Sequence, residues 1–412
     1  MNFKRATVND DVFCTFPFVH IATKTAGEIK PCCRARPTSN IQDESLEEAW
    51  NNPRMRAIRK ELLSGIKSPE CNACWKHEDQ GIRSMRQRTV KNHIKTFGPV
   101  WEEMDEDGFM PFKIPTFEAK LSNLCNLKCR MCHPVDSTSW AQDWGAIKSL
   151  MQKHNKSTYE KVEQFNIEKK PYVSKWHTEE FWDEFKALCP YFREIYFAGG
   201  EPLTDPLHYK VLHYIMEYGE ADKVSLRYAT NMTKLNYKKD NVLEMWNSFK
   251  RVHINISIDG TGDIYNYIRQ LGDYKVVQEN ILKVIDHPKL YKIAGALTLQ
   301  VYNIWFMPEI AKDFEDMGIE LHTHRVNYPT FLDCRVIPPK FKQQIKNKLR
   351  TSKFANNPHF MDAINTLDGD MTELIPKFIE FSDTLDVKQQ VDISWRDLLP
   401  DMAEEMDAFV AR

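Results

Sequence analysis

The sequence predicts an α/β fold: a parallel sheet of six βα units, preceded by a small cysteine-rich domain and followed by a helical extension. Three observations carry that expectation. Apolar runs of strand length alternate with helical segments between residues 116 and 335, eight of the ten cysteines cluster before or just inside that region, and no strand repeat continues beyond about residue 335.

Bulk composition excludes several classes. The 412 residues carry 56 basic and 58 acidic side chains, a net charge of −2, and 42% are hydrophobic. Such a chain is neither disordered nor a globally basic nucleic-acid binder. No run approaches the ~20 apolar residues of a membrane helix, and the start MNFKRATVNDD lacks the apolar segment of a secretory signal. A cytoplasmic location is the expectation.

Residues 1–95 are expected to form the cysteine-rich domain, with little sheet periodicity but clear helix punctuation. Ser45-Leu46-Glu47-Glu48 reads as a capping box, Asn52-Pro53 as a helix start and Gly65 as its stop, with Met55, Ile58 and Leu62 on one face. Residues 96–115 hold Gly98, Pro99, Gly108, Pro111, Pro115 and an acidic run from Glu102 to Asp107, and read as a linker. The core, 116–335, has strands expected at 116–122, 194–198, 223–229, 252–258, 296–302 and 319–326. Trp140, Trp144, Ile147 and Met151 form a helical stripe, as do Phe181, Phe185 and Leu188, and the Lys-rich stretch 148–175 reads as a surface insertion. Residues 336–412 read as helices, and Cys189 and Cys334 as structural thiols.

Cys125, Cys129 and Cys132 fall in the loop after the first strand, where βα folds place chemistry. Clusters spaced like this in a reducing compartment point to metal or redox work rather than disulfides. Three thiolates would leave one iron of a [4Fe-4S] cube open to a non-protein ligand. Zinc, with His133 as a fourth ligand, is the alternative. Ala198-Gly199-Gly200-Glu201-Pro202 ends the second strand, Thr230-Asn231 the third and Ser257-Ile258-Asp259-Gly260 the fourth. Arg269 follows in a helix, and Gln300, Tyr302 and Asn303 lie on the fifth strand.

The CxxxCxxC loop and the GGEP turn, in this order, resemble the radical S-adenosylmethionine (SAM) superfamily. The resemblance implies a partial (β/α)6 TIM-like barrel and a [4Fe-4S] cluster on Cys125, Cys129 and Cys132 that chelates SAM. It also implies SAM contacts from Gly199, Gly200, Glu201, Pro202, Asn231, Ser257, Arg269 and Gln300. Met131 stands where the family usually has an aromatic residue. Cys14, Gly27, Cys32 and Cys71-Asn-Ala-Cys74 resemble the twitch domain, the shortened form of the SPASM domain. That implies one auxiliary [4Fe-4S] cluster on Cys14, Cys32, Cys71 and Cys74, with Cys33 able to replace Cys32 and a structural zinc as the alternative. The module usually follows the barrel; here it precedes it, and is expected to fold back across the barrel mouth. The resemblance covers 13–75 and 118–330.

The function so implied is reductive cleavage of SAM to a 5′-deoxyadenosyl radical, with hydrogen abstraction from a substrate. An oxidised peptide or protein side chain is the leading outcome, and flavodoxin or ferredoxin the kind of reductant. A nucleotide, RNA or small-metabolite substrate is the alternative, RNA resting on the basic runs Arg83–Lys95 and 340–353. A non-enzymatic iron–sulfur or zinc protein would leave GGEP without a role. His322, His324 and Asp259 are the candidate proton acceptors.

Overall fold

The computed structural model describes residues 11–164, 174–326 and 328–411; the reading of the chain start and residues 165–173 of the stretch 148–175 lie outside them. Strands β4 (Thr116–Ala119), β5 (Glu194–Phe197), β6 (Ser225–Thr230), β7 (Arg251–Ser257), β8 (Leu290–Leu299) and β9 (Glu320–Arg325) form the expected parallel series. Helices in each crossover make it a partial (β/α)6 barrel. Alternation sets the two faces. In β7, Val252, Ile254 and Ile256 are fully buried, while Arg251, His253, Asn255 and Ser257 look to the inner side. Register then aligns inner residues across strands: Glu118, Tyr196, Arg227, His253 and Lys292 form one polar row. Phe117, Ile195 and Leu226 form its apolar counterpart.

Several features differ from the expectation: Arg269 caps the helix Gly262–Ile268 rather than lying in it, and β8 stops at Leu299, short of Gln300, Tyr302 and Asn303. β8 begins at Leu290, six residues before the run read from the sequence, because Lys292 and Gly295 interrupt its apolar pattern. The cysteine-rich domain joins the sheet itself, extending it edgewise. Its strands β1 (His20–Thr23), β2 (Glu28–Lys30) and β3 (Ser39–Asn40) continue the sheet in the order β9-β8-β7-β6-β5-β4-β1-β2-β3. β1 runs parallel to β4, with Ala22 opposite Glu118. These strands carry little periodicity because they are four, three and two residues long, and β1 is buried throughout.

The helix signals hold. Ser45 Oγ accepts from Glu48 N at 3.2 Å while Glu48 Oε2 accepts from Ser45 N at 2.8 Å, and Asn52 caps the helix Pro53–Leu63. In the C-terminal extension the helix Ile375–Gln389 packs on Ala141–His154, with Gln389 Nε2 donating to Asp143 Oδ2 at 2.9 Å. No helix among the described residues is long and apolar enough to cross a membrane. The basic run 340–353 is compensated: Lys340, Lys342, Lys346, Lys348 and Lys353 pair with Glu405, Asp370, Asp368, Glu309 and Glu315. In the other run, Arg86 is buried on Glu78 at 2.7 Å.

Candidate active site

The loop from Ser122 to Ser137 leaves β4 and is stitched in place by its own backbone. Lys128–Cys129 pairs antiparallel with Arg269–Gln270, and Arg130 N donates to Ile268 O at 2.9 Å. Trp140 Nε1 donates to Cys129 O at 2.9 Å and Ser139 Oγ to Cys125 O at 2.7 Å, so the next helix start satisfies the loop carbonyls. Beneath, the Arg130 guanidinium is fully buried. It donates to Tyr267 O at 3.0 Å, lies 3.8 Å from the centre of the Tyr267 ring, and pairs with Asp386 at 2.5 Å. Tyr267 Oη donates to the same Asp386 carboxylate at 3.0 Å. The C-terminal extension thus anchors the cysteine loop. Nothing in the sequence marked Asp386, which sits 256 residues from its partner.

The GGEP turn lies against that loop. Gly200 N donates to Ser122 O at 3.2 Å and Glu201 N to Leu124 O at 2.8 Å. A Cβ on Gly200 would stand 2.3 Å from Leu124 O, and Gly199 has a φ of +122°, so both positions require glycine. The Glu201 carboxylate accepts from Thr230 Oγ1 at 2.6 Å, Asn231 N at 2.5 Å and Leu203 N at 3.0 Å. Burial pushes its pKa up to about 7 despite those donors. Thr230-Asn231 therefore orients Glu201, and the Asn231 side chain donates to Asn126 of the cysteine loop at 3.0 Å.

These elements enclose a cavity of about 430 Å³. Its wall includes Cys125, Cys129, Cys132 and Met131, together with Gly199, Gly200, Glu201, Asn231, Ser257 and Arg269. Arg269 Nη1 points at Cys129 Sγ at 3.4 Å, and its guanidinium pairs with fully buried Asp259 at 2.6 Å. Asp259 is thereby committed to Arg269 and to Thr298 N at 2.7 Å. Pro202 and Gln300 are buried outside the wall, Gln300 Nε2 donating weakly to Thr298 O at 3.4 Å. His322 shares the inner row of Ser257 and Ala296 but stands at the open sheet edge, 3.4 Å from Glu320, and exposed His324 lies on the same edge strand. Neither histidine borders the cavity.

A second, smaller pocket is lined by Cys14, Cys32, Cys71 and Cys74 with Phe16, Ala35 and Met85. The Cys14 thiol is pushed up by burial and then by Cys32, Cys71 and Cys74, which places all four within electrostatic reach. Cys33 does not border this pocket; its thiol lies near Glu118, Lys120 and Lys24. Among the first three cysteines, burial drives Cys132 up, followed by Asp136, Cys129 and Cys125. Thiols so buried become thiolates only with compensating positive charge, which iron supplies. Sets of three and four thiols set around a space fit cubane clusters, one with an iron left for SAM and one fully ligated by protein.

The profile of the radical SAM superfamily matches residues 120–318, and that of the SPASM iron–sulfur cluster-binding domain matches residues 14–75. No curated protein matches the chain by sequence. Among solved structures, "Native anSMEcpe with bound AdoMet and Cp18Cys peptide" is 14% identical with a TM-score of 0.35, over 57% of this chain and 58% of that one. "Structure of TYW1 with a lysine-pyruvate adduct bound" is 12% identical with a TM-score of 0.27, over 58% and 72%. The chain spans less than two thirds of the first of these.

Proposed function

Because this chain belongs to the radical SAM superfamily and carries an auxiliary iron–sulfur domain, we propose that it uses SAM to oxidise a peptide or protein side chain in the cytoplasm. When bound, the cluster of Cys125, Cys129 and Cys132 with SAM supplies a 5′-deoxyadenosyl radical, and that of Cys14, Cys32, Cys71 and Cys74 supplies an electron acceptor. The chain's own residues prepare the reaction. Gly199 and Gly200 let the turn approach closely, and Glu201, fixed by Thr230 and Asn231, presents a carboxylate edge suited to the SAM ammonium. Arg269, held by Asp259, sets positive charge beside Cys129.

One observation carries this reading: three cysteines and six of the residues named for SAM border a single cavity, while four further cysteines line a second pocket in the same chain. The peptide substrate is supported by the resemblance of the auxiliary domain to those of peptide- and protein-oxidising relatives. The compensated basic run 340–353 disfavours RNA. Anaerobically reconstituted protein, given dithionite and SAM, should release 5′-deoxyadenosine and hold about eight irons per chain. Protein that binds only zinc, or leaves SAM intact, refutes the proposal.

A further inference from the structure

The cavity holds a cationic feature that SAM chemistry does not use. Lys24 follows β1 and Lys120 follows β4, two residues beyond the register pair Ala22–Glu118, and both lysines border the cavity. Lys120 Nζ lies 3.1 Å from Glu118, and its side chain is only 19% exposed. Lys24 has no ion-pair partner among the described residues, and its amine meets that of Lys120. Burial, then the charge of Lys120, pulls Lys24 down to about 8. The surroundings do not cancel this excess. Arg227 is matched by Glu194 at 3.2 Å, and His20 is kept neutral by burial while its Nδ1 meets Thr116 Oγ1 at 2.7 Å. Asp136, also on the wall, faces His133 at 3.5 Å and Thr25 Oγ1 at 3.4 Å. Lys30 Nζ donates to Cys33 O at 3.2 Å, and the Cys33 thiol and Tyr196 hydroxyl are held protonated by burial. Two amines therefore lie beside one carboxylate, Glu118, while Asp136 and Glu201 stand elsewhere on the cavity wall.

We propose that Lys24 and Lys120 form an oxyanion subsite that anchors a carboxylate or phosphate of the substrate beside the carbon to be oxidised. The inference rests on the function proposed above and narrows its substrate to one bearing such a group near the reacting position. An oxyanion between the amines gains charge-assisted hydrogen bonds from both and removes their mutual repulsion. In a peptide, an acidic side chain or the terminal carboxylate supplies it; in a phosphoester, the phosphate does.

The test uses the anaerobic holoenzyme saturated with SAM, so that the SAM carboxylate has already taken its own place. Glutarate and inorganic phosphate are titrated separately by calorimetry. Saturable binding of either one is expected, weakened at least about tenfold in Lys24→Met and restored in Lys24→Arg. Tighter glutarate assigns the carboxylate source, and tighter phosphate the phosphate source. Iron content matching wild type qualifies each variant. Should Lys24→Met lose iron, acylation of Lys24 in the wild type, read by mass spectrometry, must slow when the bound anion is added. No binding of either anion to wild type, equal binding in Lys24→Met, or unprotected Lys24 overturns the subsite. Release of 5′-deoxyadenosine by wild type is read separately, so its absence refutes the oxidation reading without touching this result.

Discussion

The two cysteine sites differ in what else the chain places around them. The three-cysteine cavity is walled by Lys24, Lys120, Glu201, Asn231, Ser257 and Arg269, polar groups at the ends of separate strands. The smaller four-cysteine pocket is closed by Phe16, Ala35 and Met85 together with Arg34 and Arg86, and two of its thiols lie on one short helical segment around Cys71 and Cys74. A reactant must enter, bind and leave the first, so it needs room and hydrogen-bonding groups. An electron needs neither, and the second site invests in burial. On the function proposed above, the same ligand atom would serve substrate activation in one site and electron transfer in the other, according to the residues beside it.

The sharpest way to break that division is to remove one thiol from each side. Cys125→Ala should abolish 5′-deoxyadenosine formation and lower iron from about eight to about four per chain. Cys71→Ala should lose the same amount of iron yet still cleave SAM, while substrate oxidation stops. If SAM cleavage also vanishes there with the first cluster intact by iron and sulfide analysis, the two sites are not separable.

Smaller effects sharpen the picture of how the open site is held. Asp386→Asn leaves the Arg130 guanidinium, which is 0% exposed, without its carboxylate. The expected cost is about 3 kcal/mol, read as a lower denaturation midpoint, together with weaker retention of the first cluster. An unchanged midpoint would show that the extension does not anchor the loop. Gly200→Ala should weaken SAM binding about tenfold by equilibrium dialysis, because its Cβ would force the turn away from Leu124 O, 2.3 Å distant. The smallest effect lies behind the same turn. His208 packs 4.5 Å from the Phe197 ring, and its Nε2 meets Tyr228 Oη at 3.0 Å. Burial alone pulls the imidazole down to about 3. The unfolded chain then takes the proton first, so this contribution is complete above pH 6.5 and is lost as the pH falls towards 3. Between pH 7.5 and 5.5 it should cost about 1.4 kcal/mol in urea unfolding, and His208→Gln should remove that slope.

Much of the site was legible because its residues lie at strand ends or at fixed short spacings. The cysteine loop, GGEP, Asn231, Ser257 and Arg269 were named from the sequence, and all but Pro202 border one cavity. Gln300, expected on the fifth strand beside SAM, lies off the wall because β8 ends at Leu299 and the chain turns there, with Gln300 N donating to Asn303 Oδ1 at 2.9 Å. His322 and His324 were attractive as strand-end imidazoles, but the edge position of β9 leaves them away from the reacting space. The choice between Cys32 and Cys33 could not be made from adjacent letters. It depends on which sulfur turns towards Cys14, Cys71 and Cys74.

Local sequence sets which thiols are available, the order of the strand ends that carry the turns, and the alternation that makes one face of the sheet polar. These are local properties, set by spacing and by the two-residue period of a strand. Long-range packing sets the rest: the cysteine-rich domain joins the sheet edge through β1 and β4, Asp386 reaches Arg130, and Lys24 meets Lys120. Each of these depends on register and packing between segments far apart in the chain, where the gain comes from burying charge and apolar surface together and leaves no periodic mark in either segment alone.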